Sequence, residues 1–294
     1  CAAMKNRDAF SAFHPAVLCG YYALVLVFSM FLTHPLCLAA SLLGALSYAA
    51  KLRGGRAVLH SLAWMAPVWL LAAAVNTLFN HEGATILTYF SSGNPLTLES
   101  MLYGLSAGGM LAAVLLWFTT YQAVMTSDKF VYLFGRAIPA LSLVLSMTLR
   151  FVPKFRAQLR AVQQARQFAG NSEKPGPIQR ARTSVENFSI LVTWSLENAV
   201  ETADSMRARG YGLPGRTAFS IFRFETRDAQ LLAWLLACGG LVIFGWAAGT
   251  LAWRYYPTVR GGFTGLTALC AAAELALALT PWAIDAWEAR KWNS

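Results

Sequence analysis

Long apolar runs alternate with short polar breaks along the chain, and one long basic stretch interrupts the alternation. Runs at 16–33, 58–79, 101–120, 229–250 and 264–284 approach or reach the length needed to cross a bilayer, about 20 apolar residues in a helix. A sixth run, 35–50, is a little short and needs its flanks. This pattern predicts an all-α integral membrane protein of about six transmembrane helices plus a cytoplasmic module of long, crossed helices. The expected division is 1–120 for the N-terminal membrane helices, 121–227 for the module and 228–294 for the C-terminal membrane helices.

Within 121–227 the pattern changes. Residues 137–149 are apolar but too short to span, which suits a buried or interfacial helix. Arg150 and Pro153 follow, and Pro153 either starts the next helix or kinks a longer one. A helix over 154–168 sets Phe155, Leu159 and Val162 on one face, with Arg156 and Arg160 beside it. The breaker-rich stretch 170–177 ends it. A long helix then runs from about 178 to 209, with Leu196, Val200 and Ala203 on one stripe and Glu197, Glu201 and Asp204 on the next. Gly210 is well placed as the left-handed residue just past that helix, with Tyr211 packing back. The acidic stripe reads as a solvated face or, more sharply, as the counterpart of Arg156 and Arg160.

Composition and charge agree with a membrane protein. The chain is 56% hydrophobic and only 13% charged. Of its 24 Lys and Arg, 15 lie in 121–227, three in 51–57 and none in 80–100. The positive-inside rule then predicts six spans with both termini in the cytoplasm. The net charge of +10 is mostly that signature, so nucleic-acid binding gains little from it. Loop 80–100 reads as a surface loop with a short apolar element at 86–90. Cys1-Ala2-Ala3 reads as a vector-derived extension before Met4; a lipid-modified Cys1 would put the N-terminus outside, against the charge pattern.

Little conventional site chemistry is visible. The cysteines have neither zinc nor Cys-x-x-Cys spacing, and four of the five fall in apolar runs as small buried hydrophobes. His14-Pro15 and His34-Pro35 open the first two spans, which marks these histidines as helix-start residues rather than metal ligands. No phosphate-cradling loop, zinc-protease motif or nucleophile elbow occurs, so no catalytic or metal site is predicted. Glu274 lies deep in the last span. An intramembrane carboxylate is a functional candidate, with a protonated, hydrogen-bonded Glu as the plainer reading.

Two Ala-Arg pairs, Ala165-Arg166 and Ala208-Arg209, end helix-like runs in the basic stretch. A cation there meets unpaired carbonyls and the negative end of the helix dipole. Its guanidinium also presents a fork of donors to a partner's carboxylate or carbonyls, while the small Ala lets another backbone approach. A helix-capping arginine is the ordinary reading of either pair alone.

With Leu149-Arg150-Phe151-Val152-Pro153, Gln163-Gln164-Ala165-Arg166-Gln167 and Met206-Arg207-Ala208-Arg209-Gly210-Tyr211-Gly212, the chain resembles the transmembrane T component of energy-coupling-factor (ECF) transporters over essentially its whole length. The resemblance implies a subunit of a bacterial or archaeal cell membrane that couples two ABC-type ATPases to a small membrane-embedded substrate-binding subunit. The cargo would be a micronutrient, a vitamin or a metal ion, and no cofactor is implied. In that family two Ala-Arg-Gly-type motifs dock in grooves on the ATPases. Ala165, Arg166, Ala208, Arg209 and Gly210 match them, while Gln167 stands where Gly or Ser is usual. The first helix therefore ends at Arg166 or runs on to Gly170. The same resemblance makes Leu141, Leu145, Phe155 and Leu159 candidate contacts for the substrate-binding subunit. A stand-alone secondary transporter, which would show several intramembrane polar residues and repeated halves, and an intramembrane enzyme are the alternatives.

Overall fold

A computed structural model describes residues 8–89, 95–137, 139–168, 176–213 and 222–293. Nine α-helices occur among them: α1 (Pro15–Phe31), α2 (Pro35–Arg53), α3 (Gly55–Phe79), α4 (Leu98–Val124), α5 (Ser127–Ala137), α6 (Pro139–Phe168), α7 (Pro177–Ala208), α8 (Thr226–Ala247) and α9 (Gly265–Asn293). The one sheet among the described residues is a hairpin of β1 (Ile86–Tyr89) and β2 (Pro95–Thr97), paired antiparallel with Ile86 opposite Thr97. The expected apolar element of the 80–100 loop is thus a strand, though Phe90 lies outside the described residues.

Among the described residues, five helices are long and apolar enough to cross a membrane: α2, α3, α4, α8 and α9. The shorter apolar helix is α1, with 17 residues, and not α2, which has 19. This reverses the expectation that 35–50 is the short run. Leu32 is already extended ahead of Pro35, which cuts α1 at Phe31. α2 instead gains its last turn from Lys51-Leu52-Arg53. Both helices start alike. His14 Nδ1 accepts the Ala16 amide at 3.2 Å and His34 Nδ1 accepts the Leu36 amide at 3.3 Å, each followed by Pro at the first helical position. The histidines are helix caps.

The chain divides into two compact units, 1–126 with 222–294, and 127–221. In the first, α2 packs on α4 and α9, α3 on α4, α8 on α9, and α1 on α4 and α8. Tyr21, Tyr22, Tyr48 and Trp117 form its fully buried aromatic centre. Trp117 Nε1–H donates to Ser41 Oγ at 3.0 Å, so the one polar atom of that indole is paired. α3 and α4 approach closely through Gly104 and Gly108. A Cβ on Gly108 would lie 2.2 Å from Trp69 Cδ1, and one on Gly104 would lie 2.8 Å from the Ala73 carbonyl oxygen. Small residues four apart are what close helix packing in a membrane requires.

A buried carboxylate ties the ends of this unit together. Asp228, in the first turn of α8, accepts the His14 amide through Oδ1 at 2.8 Å and the Glu225 amide through Oδ2 at 2.8 Å. It therefore caps its own helix and fixes the start of α1 with one side chain. Nearby in sequence to α1, Asp8 accepts the Tyr48 hydroxyl, while Asp285 accepts the Phe10 amide at 3.2 Å and pairs with Lys51 at 3.3 Å.

Candidate functional site

The second unit holds α5, α6 and α7, and both Ala-Arg pairs lie on it. α6 is one continuous helix of 30 residues with Pro153 inside it, so 137–149 and 154–168 are not separate elements. Of the two roles open to Pro153, it takes the place within a longer helix. α7 has 32 residues and Gly176-Pro177 opens it.

Two contacts set the register of α6 and α7. Phe155 meets Trp194 edge to face at 5.5 Å, and Arg166 Nη1 meets Glu186 Oε2 at 3.0 Å. Moving up α6 from Phe155 to Arg166 moves back along α7 from Trp194 to Glu186, so the helices run antiparallel. The apolar face read from the sequence, Phe155, Leu159 and Val162, is half-buried, with Phe155 against Trp194. The acidic stripe does not meet the basic one. Among the described residues no ion pair joins Glu197, Glu201 or Asp204 to Arg156 or Arg160, and all five are exposed. In this register the acidic stripe lies beyond Trp194, past the stretch of α7 that faces those arginines.

The two arginine endings differ in detail. α7 ends at Ala208, and Gly210 has φ +77°. The Gly210 amide donates to the Arg207 carbonyl at 3.0 Å and the Tyr211 amide to the Met206 carbonyl at 3.0 Å. This is a complete Schellman stop, and it depends on the left-handed conformation that glycine adopts without a Cβ penalty. Arg209 sits at the cap, exposed, and no ion pair engages its side chain among the described residues.

Arg166 is placed otherwise. α6 runs past it through Gln167 to Phe168, so the helix does not end at the arginine, and Gly170 lies outside the described residues. Its guanidinium is held by Glu186, which also takes Arg182 Nε at 3.3 Å. Glu186 was not singled out from the sequence. Its spacing of four from Arg182 was the available signal, but nothing local points across to Arg166. Ala165 and Ala208 are both exposed.

The structure keeps the two pairs apart. Arg166 lies beside Glu186, near the start of α7, whereas Arg209 caps its end. At helical rise the axial separation along α7 is about 35 Å. A single small ligand cannot touch both; two separate docking points can.

Of the other candidates, Leu145 is half-buried on α6, and the Leu141 side chain lies outside the described residues. Val144, Leu149, Val152 and Phe168 are exposed large apolar side chains on that helix. Phe155 is turned to Trp194 and Leu159 is half-buried on the same face. In the first unit Glu274 is buried within α9, with the Cys37 thiol of α2 as its hydrogen-bonding neighbour. Its Oε2 has no partner among the described residues.

Comparison with known proteins places these features in context. Residues 14–219 match the model of a family described as cobalt transport protein, CbiQ. The energy-coupling factor transporter transmembrane protein EcfT of Exiguobacterium sibiricum is 33% identical over 106 residues, 35% of this chain and 40% of that protein. Its namesake from Lacticaseibacillus paracasei is 36% identical over 110 residues, 37% of this chain and 40% of that protein. That from Lactobacillus helveticus is 30% identical over 113 residues, 38% of this chain and 41% of that protein. The matched segments thus span about two fifths of these relatives' length.

Proposed function

Since the chain belongs to the CbiQ family of cobalt transport proteins and is a multi-pass T component of the energy-coupling-factor type, we propose that it transmits ATP-driven motion of two ABC-type ATPase subunits to a small membrane-embedded substrate-binding subunit. The cargo is a micronutrient, a vitamin or a metal ion, and the chain works in a bacterial or archaeal cell membrane with both termini in the cytoplasm. The observation that supports this reading is the separation of Arg166 and Arg209 by about 35 Å along α7, the first ion-paired to Glu186 and the second exposed at a helix stop. One arginine serves each ATPase. Ala165, Arg166 and Gln167 form one docking point, and Ala208, Arg209 and Gly210 the other.

The two points engage differently. Arg209 is presented by a rigid helix stop and is ready to enter a groove. Arg166 must exchange Glu186 for the partner's acceptors. That exchange loses little, because exposed ion pairs contribute only about 0–1 kcal/mol. The hydrophobic face of Phe155 and Leu159 holds α7 on α6, so that both arginines move as one body. The substrate-binding subunit meets the apolar surface of α6 around Val144, Leu145 and Val152. Chemistry and substrate recognition then belong to other subunits, and this chain supplies the mechanical link.

Reconstitution tests this directly. The chain combined with the two ATPases and one substrate-binding subunit should give ATP-dependent uptake, and the chain alone should give none. Uptake or catalysis by the chain alone would contradict the coupling role and favour the secondary transporter or the enzyme.

A further inference from the structure

Residues 8–14 form a short strap across one end of the first unit. A single helical turn, Phe10–Ala12, makes its middle. Phe10 is fully buried, with its ring 5.0 Å from that of Tyr21 and 5.9 Å from that of Tyr48. Two carboxylates of the helix bundle hold the strap's backbone. Asp228 of α8 takes the His14 amide at 2.8 Å, and Asp285 of α9 takes the Phe10 amide at 3.2 Å. At the first residue the strap supplies a carboxyl of its own, and Asp8 Oδ2 accepts the Tyr48 hydroxyl of α2.

The Asp8 end is short of one donor. Asp285 Oδ1 accepts the Phe10 amide and Asp285 Oδ2 the Lys51 ammonium at 3.3 Å, so both of its oxygens act as acceptors. The Asp8 carboxyl stands within hydrogen-bonding reach of the Asp285 carboxyl. Asp8 Oδ1 is nevertheless buried with no donor among the described residues. Two ionised carboxylates in contact would leave that oxygen unpaired and repel each other. One proton on Asp8 Oδ1, donated to Asp285, removes both costs, and buried polar atoms rarely stay unpaired. The titratable and charged groups facing Asp8 are Tyr48 and Lys51 of α2, Tyr22 of α1 and Asp285 of α9. Burial first, and the Asp285 carboxyl next, push Asp8 up to about 7.

We propose that residues 8–13 are a proton-latched strap, closed while Asp8 and Asp285 share one proton and opening locally once that proton leaves to water. Opening releases the Phe10 amide from Asp285 and the Phe10 ring from Tyr21 and Tyr48. In the open strap Asp8 is an ordinary carboxyl, ionised above about pH 4. The closed strap is therefore favoured at low pH, loses ground as pH rises from about 4 through about 7, and changes little above that. The His14 clasp on Asp228 does not use this proton, so it limits the opening to the residues before it. The latch is independent of the coupling role.

The test is hydrogen exchange of the purified full chain, read by mass spectrometry from about pH 5 to about pH 8 and corrected for the intrinsic pH dependence of exchange. Protection of the Phe10, Ser11, Ala12 and Phe13 amides should fall about tenfold per pH unit up to about pH 7 and then level off, as one titrating group requires. At each pH these amides should exchange faster than those of α2 and α9. Asp8→Asn keeps an acceptor for Tyr48 and gives Asp285 a permanent donor, so its strap should stay protected throughout. Tyr48→Phe removes a bond that favours the ionised Asp8 and should move the levelling-off to higher pH. Equal corrected protection of wild type at both ends of the range, or an undiminished fall in Asp8→Asn, would overturn the latch. Strap amides that exchange no faster than those of α2 and α9 would do the same, because the strap would then open only when the whole unit unfolds.

Discussion

Residues 1–126 with 222–294 enclose a core of large buried apolar side chains, whereas among the described residues of 127–221 no apolar side chain is buried. In the first unit Tyr21, Tyr22, Tyr48 and Trp117 are at most 1% exposed. In the second, Phe168, Ile178, Val185, Phe188, Leu196 and Val200 are each more than 60% exposed. A side chain buried inside its own unit stabilises that unit; one left outside is available to something else. The difference separates a unit with its own buried apolar core from one without such a core among its described residues.

The largest expected effect tests that contrast directly. Trp117→Ala removes a fully buried indole and its bond to Ser41, and should cost about 3–5 kcal/mol. Phe188→Ala, on the exposed side of α7, should stay within about 0.5 kcal/mol. Thermal unfolding of the two purified variants compares them, and an equal loss would erase the distinction between the units. Next in size is Gly210→Val. A β-branched residue at φ +77° should cost the α7 stop about 1–2 kcal/mol. The readout is faster hydrogen exchange at the Gly210-equivalent and Tyr211 amides, with the first unit unaffected.

A further effect is a pH dependence in the first unit. Burial, with the Asp285 carboxyl adding to it, pushes the Asp8 carboxyl up from 3.8 to about 7, although its bond with Tyr48 pulls the other way. The folded chain therefore holds this proton more tightly than the unfolded chain. Stability should fall as pH rises from about 4 through about 7, the window over which the unfolded group is ionised and the folded one is not. Asp8→Asn should flatten that decline in a melting-temperature profile, and an unchanged slope in the variant would assign it elsewhere.

How much of this was legible in the sequence depended on how local the cause is. The start of α1 and α2 could be read from His-Pro pairs, and the stop of α7 from Gly210, because a cap or a left-handed glycine acts within a few residues. α7 begins and ends within one residue of its expected bounds. The sequence left open whether Pro153 starts a helix or lies inside a longer one; it forfeits one N–H, yet the turns on both sides carry α6 through it. The non-local features were hidden. Glu186 reaches Arg166 across a helical hairpin, Trp194 covers Phe155, and Gly104 with Gly108 matter only because Trp69 and Ala73 come to rest on them. The acidic stripe was visible as a stripe, but its facing residues depended on a register that the sequence does not show.

The central claim is that Arg166 and Arg209 are two separate docking points for two ATPases, and the most direct measurement is co-purification of co-expressed ATPase subunits with arginine variants of the full chain. Arg166→Glu and Arg209→Glu should each weaken retention, and the double variant should lose it while melting within a few degrees of wild type. Full retention of both ATPases by a folded double variant would contradict the account.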